Sequence, residues 1–134
     1  MESFDELLSV VRRLRAECPW DSVQTHENMI ECLKNETAEV IESVSRYREM
    51  GDSDNLCEEL GDVLFILLLH SVIAEEDGLF SVEDVLKGIV HKMTFRHPRI
   101  FAPEDEELNA LSWSELKRRE KELRKTIKAG EPQQ

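Results

Sequence analysis

Glu58-Glu59-Leu60-Gly61-Asp62-Val63-Leu64-Phe65-Ile66-Leu67-Leu68-Leu69-His70 is the stretch on which the fold turns. It belongs to a helix expected over about 54–77, with Gly78 placed as a C-terminal stop. Positions 63–69 are apolar all round, so this helix must be covered on several sides. A small bundle does that with difficulty alone, which implies completion by homodimerisation or a higher homo-oligomer. No segment of useful length alternates in the manner of a strand. The expected class is all-α, a helical bundle of four to five helices.

Glu59 and Asp62 stand three apart, as do Glu36 and Glu39 further upstream. That spacing turns two helical side chains toward one patch of space. Surface glutamates are often followed four residues later by a cation, as Glu42 is by Arg46 and Glu120 by Arg124. The four motif acids are followed instead by Val40, Ser43, Val63 and Ile66. An ionised carboxylate beside an apolar helix is costly unless it is paired or holds a metal. The helix dipole accounts for acids in a first turn, such as Glu58 and Glu59, but not for Glu36, Glu39 and Asp62, which lie deeper. An oxygen-only ligand set points to a hard ion, Mg²⁺ or Mn²⁺. Cys32 and Ser43 share the flank of Glu36 and Glu39 and are small enough to leave room beside them.

The other elements follow from their punctuation. Ser3 with Glu6 resembles a capping box that opens a first helix ending near Glu17, and Cys18-Pro19-Trp20-Asp21 breaks it. Thr25 is expected to cap a second helix that carries Glu36 and Glu39 and ends at Gly51. Ser81 caps a fourth, stopped by His97-Pro98, and Ser112 with Glu115 opens a fifth. Positions 99–111 are expected to form a loop or lid. We expect one domain over 1–129 and a disordered tail over 130–134.

With 134 residues the chain can bury a real core. The formal net charge of −12 argues against nucleic acid and anionic membrane as partners. Cys18, Cys32 and Cys57 are odd in number and widely spaced, which suits reduced thiols in a cytoplasm. No apolar run approaches the length of a membrane span, and no secretory signal opens the sequence.

In order along the chain, Cys18-Pro19-Trp20-Asp21 with Gln24-Thr25, Glu36-Thr37-Ala38-Glu39, Glu58-Glu59-Leu60-Gly61-Asp62, Arg96-His97-Pro98-Arg99-Ile100-Phe101, and Trp113 with Lys117 are similar to the motifs of the MazG-like nucleoside triphosphate pyrophosphohydrolases. The resemblance spans nearly the whole chain. It implies an enzyme that hydrolyses a nucleoside triphosphate to a monophosphate and pyrophosphate with Mg²⁺, or Mn²⁺ in its place. By the same resemblance Glu36, Glu39, Glu59 and Asp62 hold the metal; Glu36 or Glu39, if one of them is only loosely coordinated, is the candidate to take the proton of the attacking water. Lys92 and Arg96 contact phosphate oxygens, Trp113 and Lys117 help enclose the nucleotide, Asn55 and Glu58 line its site, and Trp20 is a candidate base contact. Asn35 departs from the pattern, which usually has two adjacent glutamates here; its carboxamide offers an oxygen but no charge and no base.

Other readings stand beside these. Lys92 and Arg96 also suit a pair of cations near a helix C-terminus. Lys117-Arg118-Arg119, interleaved with Glu115, Glu120 and Glu122, describes a solvated helix. His26-Glu27 lacks the second histidine of a zinc-protease motif, since Ile30 stands there, and His70 fits a hydrogen-bonded core residue. The competing functions are a related pyrophosphatase for a different nucleotide and a non-catalytic module that binds nucleotide or metal and regulates a partner.

Overall fold

The computed structural model describes residues 1–130, and within them the chain is all-α with no strand. It divides into two compact units, Met1–Val82 and the part from Glu83 onward.

The first unit is built on three long helices, α1 (Glu2–Glu17), α2 (Ile30–Met50) and α3 (Ser53–Glu76), with a short 3-10 turn at Asp21–Val23. α3 is the central element and packs against both α1 and α2. Ile66, Leu68, Leu69, Val72, Ile73 and Ala74 are buried along it, as the apolar run requires. Each of the Val, Leu and Ile side chains so withdrawn from water stabilises the unit by about 1.5–3 kcal/mol. Leu60, Leu64 and Leu67 fall on another stripe of the same helix and stay about half exposed.

Gly51 ends α2 in the left-handed conformation (φ 71°), where a side chain would be strained. Asp52 then caps α3, its carboxylate accepting from the Asn55 backbone N–H at 3.1 Å. Gly78, also left-handed, follows the end of α3. The expected end of α2 and both expected ends of α3 hold to within a residue.

The starts of α1 and α2 differ from expectation. Met1 rather than Ser3 caps α1, its carbonyl accepting from Phe4 and Asp5, so Ser3 and Glu6 lie inside the helix with no capping box. Thr25 caps a turn ahead of α2 instead of α2 itself: it and Asn28 exchange side-chain and backbone hydrogen bonds, and α2 begins only at Ile30. Arg15 ties the intervening loop down by donating to the carbonyls of Asp21 (2.6 Å) and Gln24 (2.8 Å) while its other nitrogens meet Glu76.

The second unit contains α4 (Val82–Arg96), two single-turn helices α5 (Pro98–Phe101) and α6 (Glu106–Asn109), and α7 (Trp113–Gly130). The segment expected to be a loop thus holds two helical turns. Pro98 starts the first of them, with its fixed φ and missing N–H suited to that position, and the Asp105 carboxylate caps the second through Leu108 N–H at 3.0 Å. Ser112 and Glu115 form the expected reciprocal cap of α7, at 2.9 and 3.2 Å. The rest of the tail expected to be disordered, 131–134, lies outside the described residues.

Candidate metal centre

α2 and α3 are joined by only Gly51 and Asp52, so the chain folds back and the acid pair of one helix meets the acid pair of the other. One carboxylate oxygen from each of Glu36, Glu39, Glu59 and Asp62 lies within 4.8 Å of the other three. Glu36 and Glu59 are half-buried, and Glu39 and Asp62 are exposed. None of the four joins an ion pair among the described residues. Glu39 lies close enough to Glu36 and Glu59 to act on the titration of both.

The titration behaviour follows. Desolvation, then the hydrogen bond to Glu39 and the charges of Glu39, Asp62 and Glu58, push the Glu59 carboxyl up to about 7. Desolvation together with Glu39 and Asp62 also raises Glu36. Like charges crowded together favour the protonated form unless a cation arrives.

The donor set fits a hard divalent cation. Glu36 Oε2 and Glu59 Oε2 are buried and have no hydrogen-bond partner. Such orphaned atoms are rare unless something completes them. Opposite ligands of an octahedral Mg²⁺ lie about 4.2 Å apart, given metal–oxygen distances of about 2.0–2.1 Å. The observed spread is close to that span, so the four carboxylates would suit one such ion.

The remaining residues singled out from sequence divide between the units. Asn35 is exposed on α2 beside Glu36 and outside the convergent four. Asn55 is half-buried in the first turn of α3, Glu58 is exposed and adds its charge at Glu59, and Trp20 is half-exposed in the loop after α1. In the second unit Lys92 is half-buried on α4, and Trp113 is half-exposed, its ring tilted against His97 with centroids 5.6 Å apart. Lys117 lines a cleft of α7 with Lys121 and Lys125. Arg96 is buried, and its NH2 donates to Glu120 at 2.9 Å.

Three readings of single residues need correction. Glu120 is no surface partner of Arg124: it is fully buried between Arg96 and Arg124. The signal was present, because Leu116, Glu120, Leu123 and Ile127 fall on one helical face and Glu120 interrupts an apolar stripe. Arg46 pairs with Asp52 at 2.8 Å rather than with Glu42, since the capping aspartate of α3 comes within reach across the turn. Ser43 is not open at the flank of the acids: it is buried, its hydroxyl donating to Val40 O at 2.7 Å.

The MazG nucleotide pyrophosphohydrolase domain matches residues 24–101, more than half of the sequence and all four acids. The chain belongs to the MazG family. A nucleoside triphosphate pyrophosphohydrolase/pyrophosphatase MazG from Thermotoga maritima is 36% identical over 130 residues, covering 96% of this chain and 49% of that protein. The nucleoside triphosphate pyrophosphohydrolase of Escherichia coli K12 is 34% identical over 127 residues, 90% of this chain and 47% of the relative. YabN of Bacillus subtilis is 39% identical over 123 residues, which are 88% of this chain and 24% of its own. This MazG-family chain therefore spans between a quarter and a half of the length of these relatives. The crystal structure of a mazG-related protein from Thermotoga maritima shares the fold with a TM-score of 0.66 at 29% identity, over 88% of this chain and 98% of the other. No helix among the described residues is long and apolar enough to cross a membrane.

Proposed function

We propose that this chain hydrolyses nucleoside triphosphates, ribo- or deoxyribo-, between the α and β phosphorus atoms, releasing a nucleoside monophosphate and pyrophosphate, and so acts in control of the nucleotide pool. The observation that carries this reading is the convergence of four carboxylates without a cation, in a chain of the MazG family. Glu36, Glu39, Glu59 and Asp62 would hold Mg²⁺, with Mn²⁺ as a substitute. When bound, the ion supplies neutralisation of the polyphosphate and a lowered pKa for water in its reach.

The chain's own groups do the rest. Glu36 or Glu39 takes the proton of the water that attacks the α phosphorus. Lys92 and Arg96 give charge-assisted hydrogen bonds to phosphate oxygens. Trp113 covers the nucleotide, Lys117, Asn55 and Glu58 border it, and Trp20 meets the base. Asn35 offers an oxygen to the same ligand without altering the charge of the acid cluster.

A panel of common ribo- and deoxyribonucleoside triphosphates with Mg²⁺ or Mn²⁺ tests the proposal through chromatographic detection of products. Monophosphate and pyrophosphate in equal amounts are expected for at least one substrate. Nucleotide and Mg²⁺ binding by calorimetry, with no pyrophosphate at high enzyme concentration, would instead establish the non-catalytic module.

The same reading includes a homodimer in a reducing cytoplasm. It is supported by the exposed stripe of Leu60, Leu64 and Leu67 on α3, by Ile41, Val44 and Tyr47 exposed on α2, and by three free cysteines. Light scattering that gives the mass of one chain at micromolar concentration would refute the dimer.

A further inference from the structure

Glu120 is the one acid among the fully buried large side chains of the described residues, and it does not stand alone. Its Oε1 accepts from Arg96 NH2 at 2.9 Å and Arg124 NH2 at 3.2 Å, and its Oε2 lies 3.1 Å from Arg124 Nε. One carboxylate between two guanidinium groups leaves the trio with surplus positive charge. Arg124 is half in water, so its charge is solvated, whereas Arg96 is 6% exposed and its Nε has no partner.

As a source of stability this is a poor arrangement. Apolar side chains of the same volume are usually as stabilising as a buried ion trio, or more so. The surroundings of Arg96 suggest a different use. With His97, Asn109 and Trp113 it lines a cavity of about 380 Å³, within the size range of small-molecule sites. An arginine side chain has many rotamers, and a free one at a cavity wall turns its head toward water. Glu120 fixes one edge of the guanidinium and leaves its Nε without a partner. Because Arg124 already satisfies part of the carboxylate, the positive charge of Arg96 is only partly cancelled.

We propose that Glu120 is a positioning residue, which holds the Arg96 guanidinium at the wall of this cavity so that Arg96 meets the anionic part of the nucleotide in one fixed orientation. The inference rests on the reading of Arg96 as a phosphate contact. An interaction made equally in ground and transition states alters KM and leaves kcat in place.

The test is a double-mutant cycle on the full chain with Mg²⁺, combining Glu120→Gln and Arg96→Ala. The readouts are KM, kcat and the Kd of a non-hydrolysable α,β-methylene triphosphate analogue. Glu120→Gln keeps the shape of the side chain and removes its charge; KM and Kd are expected to rise about tenfold with kcat within about twofold. In the Arg96→Ala background the same change is expected to shift KM and Kd by less than about twofold. Should Glu120→Gln not fold, Glu120→Asp draws the carboxylate back by one methylene, and a rise of about threefold that vanishes without Arg96 supports the proposal equally. Unchanged KM and Kd in a Glu120 variant whose melting temperature has fallen would reduce the trio to a structural ion pair. An equal loss of affinity with and without Arg96 would also overturn the proposal. Wild-type KM and Kd in Arg96→Ala alone would show that the phosphate reading of Arg96 had failed first.

Discussion

Glu59 in α3 is a half-buried carboxylate held among three further acids, and Glu120 in α7 is a fully buried one held between two arginines. The contrast extends to the units around them. Up to Val82 the chain has nineteen acids against six lysines and arginines, and after it ten against eleven. The negative charge of the protein thus belongs to the first unit alone. Where cations are in the sequence, the buried acid recruits them; where they are not, like charges crowd together, Glu36 and Glu59 are pushed toward the protonated form, and two oxygens are left orphaned. A buried charge supplied with a partner by the chain itself is a structural or positioning device, and one that lacks a partner is open to an ion from solution.

Removing a ligand acid should give the largest effect on turnover. Glu39→Gln or Asp62→Asn is expected to reduce kcat by about a hundredfold or more, with helicity by circular dichroism unchanged. Wild-type rates in either variant would take that acid out of the mechanism and dissolve the contrast with Glu120.

Stability should respond in the opposite sense at the two sites. Glu120→Ala strands Arg96 in the interior and is expected to cost about 3–5 kcal/mol in denaturant unfolding. Glu59→Gln relieves crowding, so the ion-free protein should unfold at equal or higher denaturant than wild type. A loss of stability at both positions would mean that Glu59 has a partner like that of Glu120.

The pH dependence sharpens the same point. The folded pKa of Glu59, about 7, lies above the ordinary value of 4.5. The stabilising contribution of its proton is therefore complete below about 4.5 and lost as pH rises through about 7. The ion-free protein should melt at progressively lower temperature across that window, and Mg²⁺ should abolish the trend while releasing protons measurable by calorimetry in buffers of different ionisation enthalpy. A flat profile without Mg²⁺ would remove the acid cluster as its cause.

The smallest effect is expected at the stacked pair His26 and His70, whose Nδ1 atoms lie 2.8 Å apart. One of the two must be unprotonated for that contact. Desolvation and the neighbouring His26 lower the pKa of His70 below 6.5, so its contribution is present above 6.5 and lost as pH falls through the folded value. His70→Phe should flatten the acid limb of the melting profile, and an unaltered limb would assign it to other groups.

Much of this was legible in the residues. The apolar run at 63–69 marked α3, the glycines at 51 and 78 marked helix ends, and the absence of a cation four residues after each motif acid marked the acid cluster. What escaped depended on contacts distant in sequence. Glu120 looked solvated because Arg124 follows it at helical spacing, and its burial is set by packing and by an arginine twenty-four residues earlier. His26 was weighed only as part of a motif, although its partner is forty-four residues away. The early start of α1 and the late start of α2 reflect local hydrogen bonds of Met1, Thr25 and Asn28 that compete with the expected caps.

The acid cluster depends on one hairpin, α2–Gly51–Asp52–α3, and each helix sets the angular phase of its own pair of acids. Inserting a single residue within α3 ahead of Glu59 would swing Glu59 and Asp62 by about 100° around the axis and scatter the ligand set. A residue added to the turn leaves both phases untouched. Between the two acid pairs, length variation that preserves their convergence is therefore confined to the turn that joins the helices.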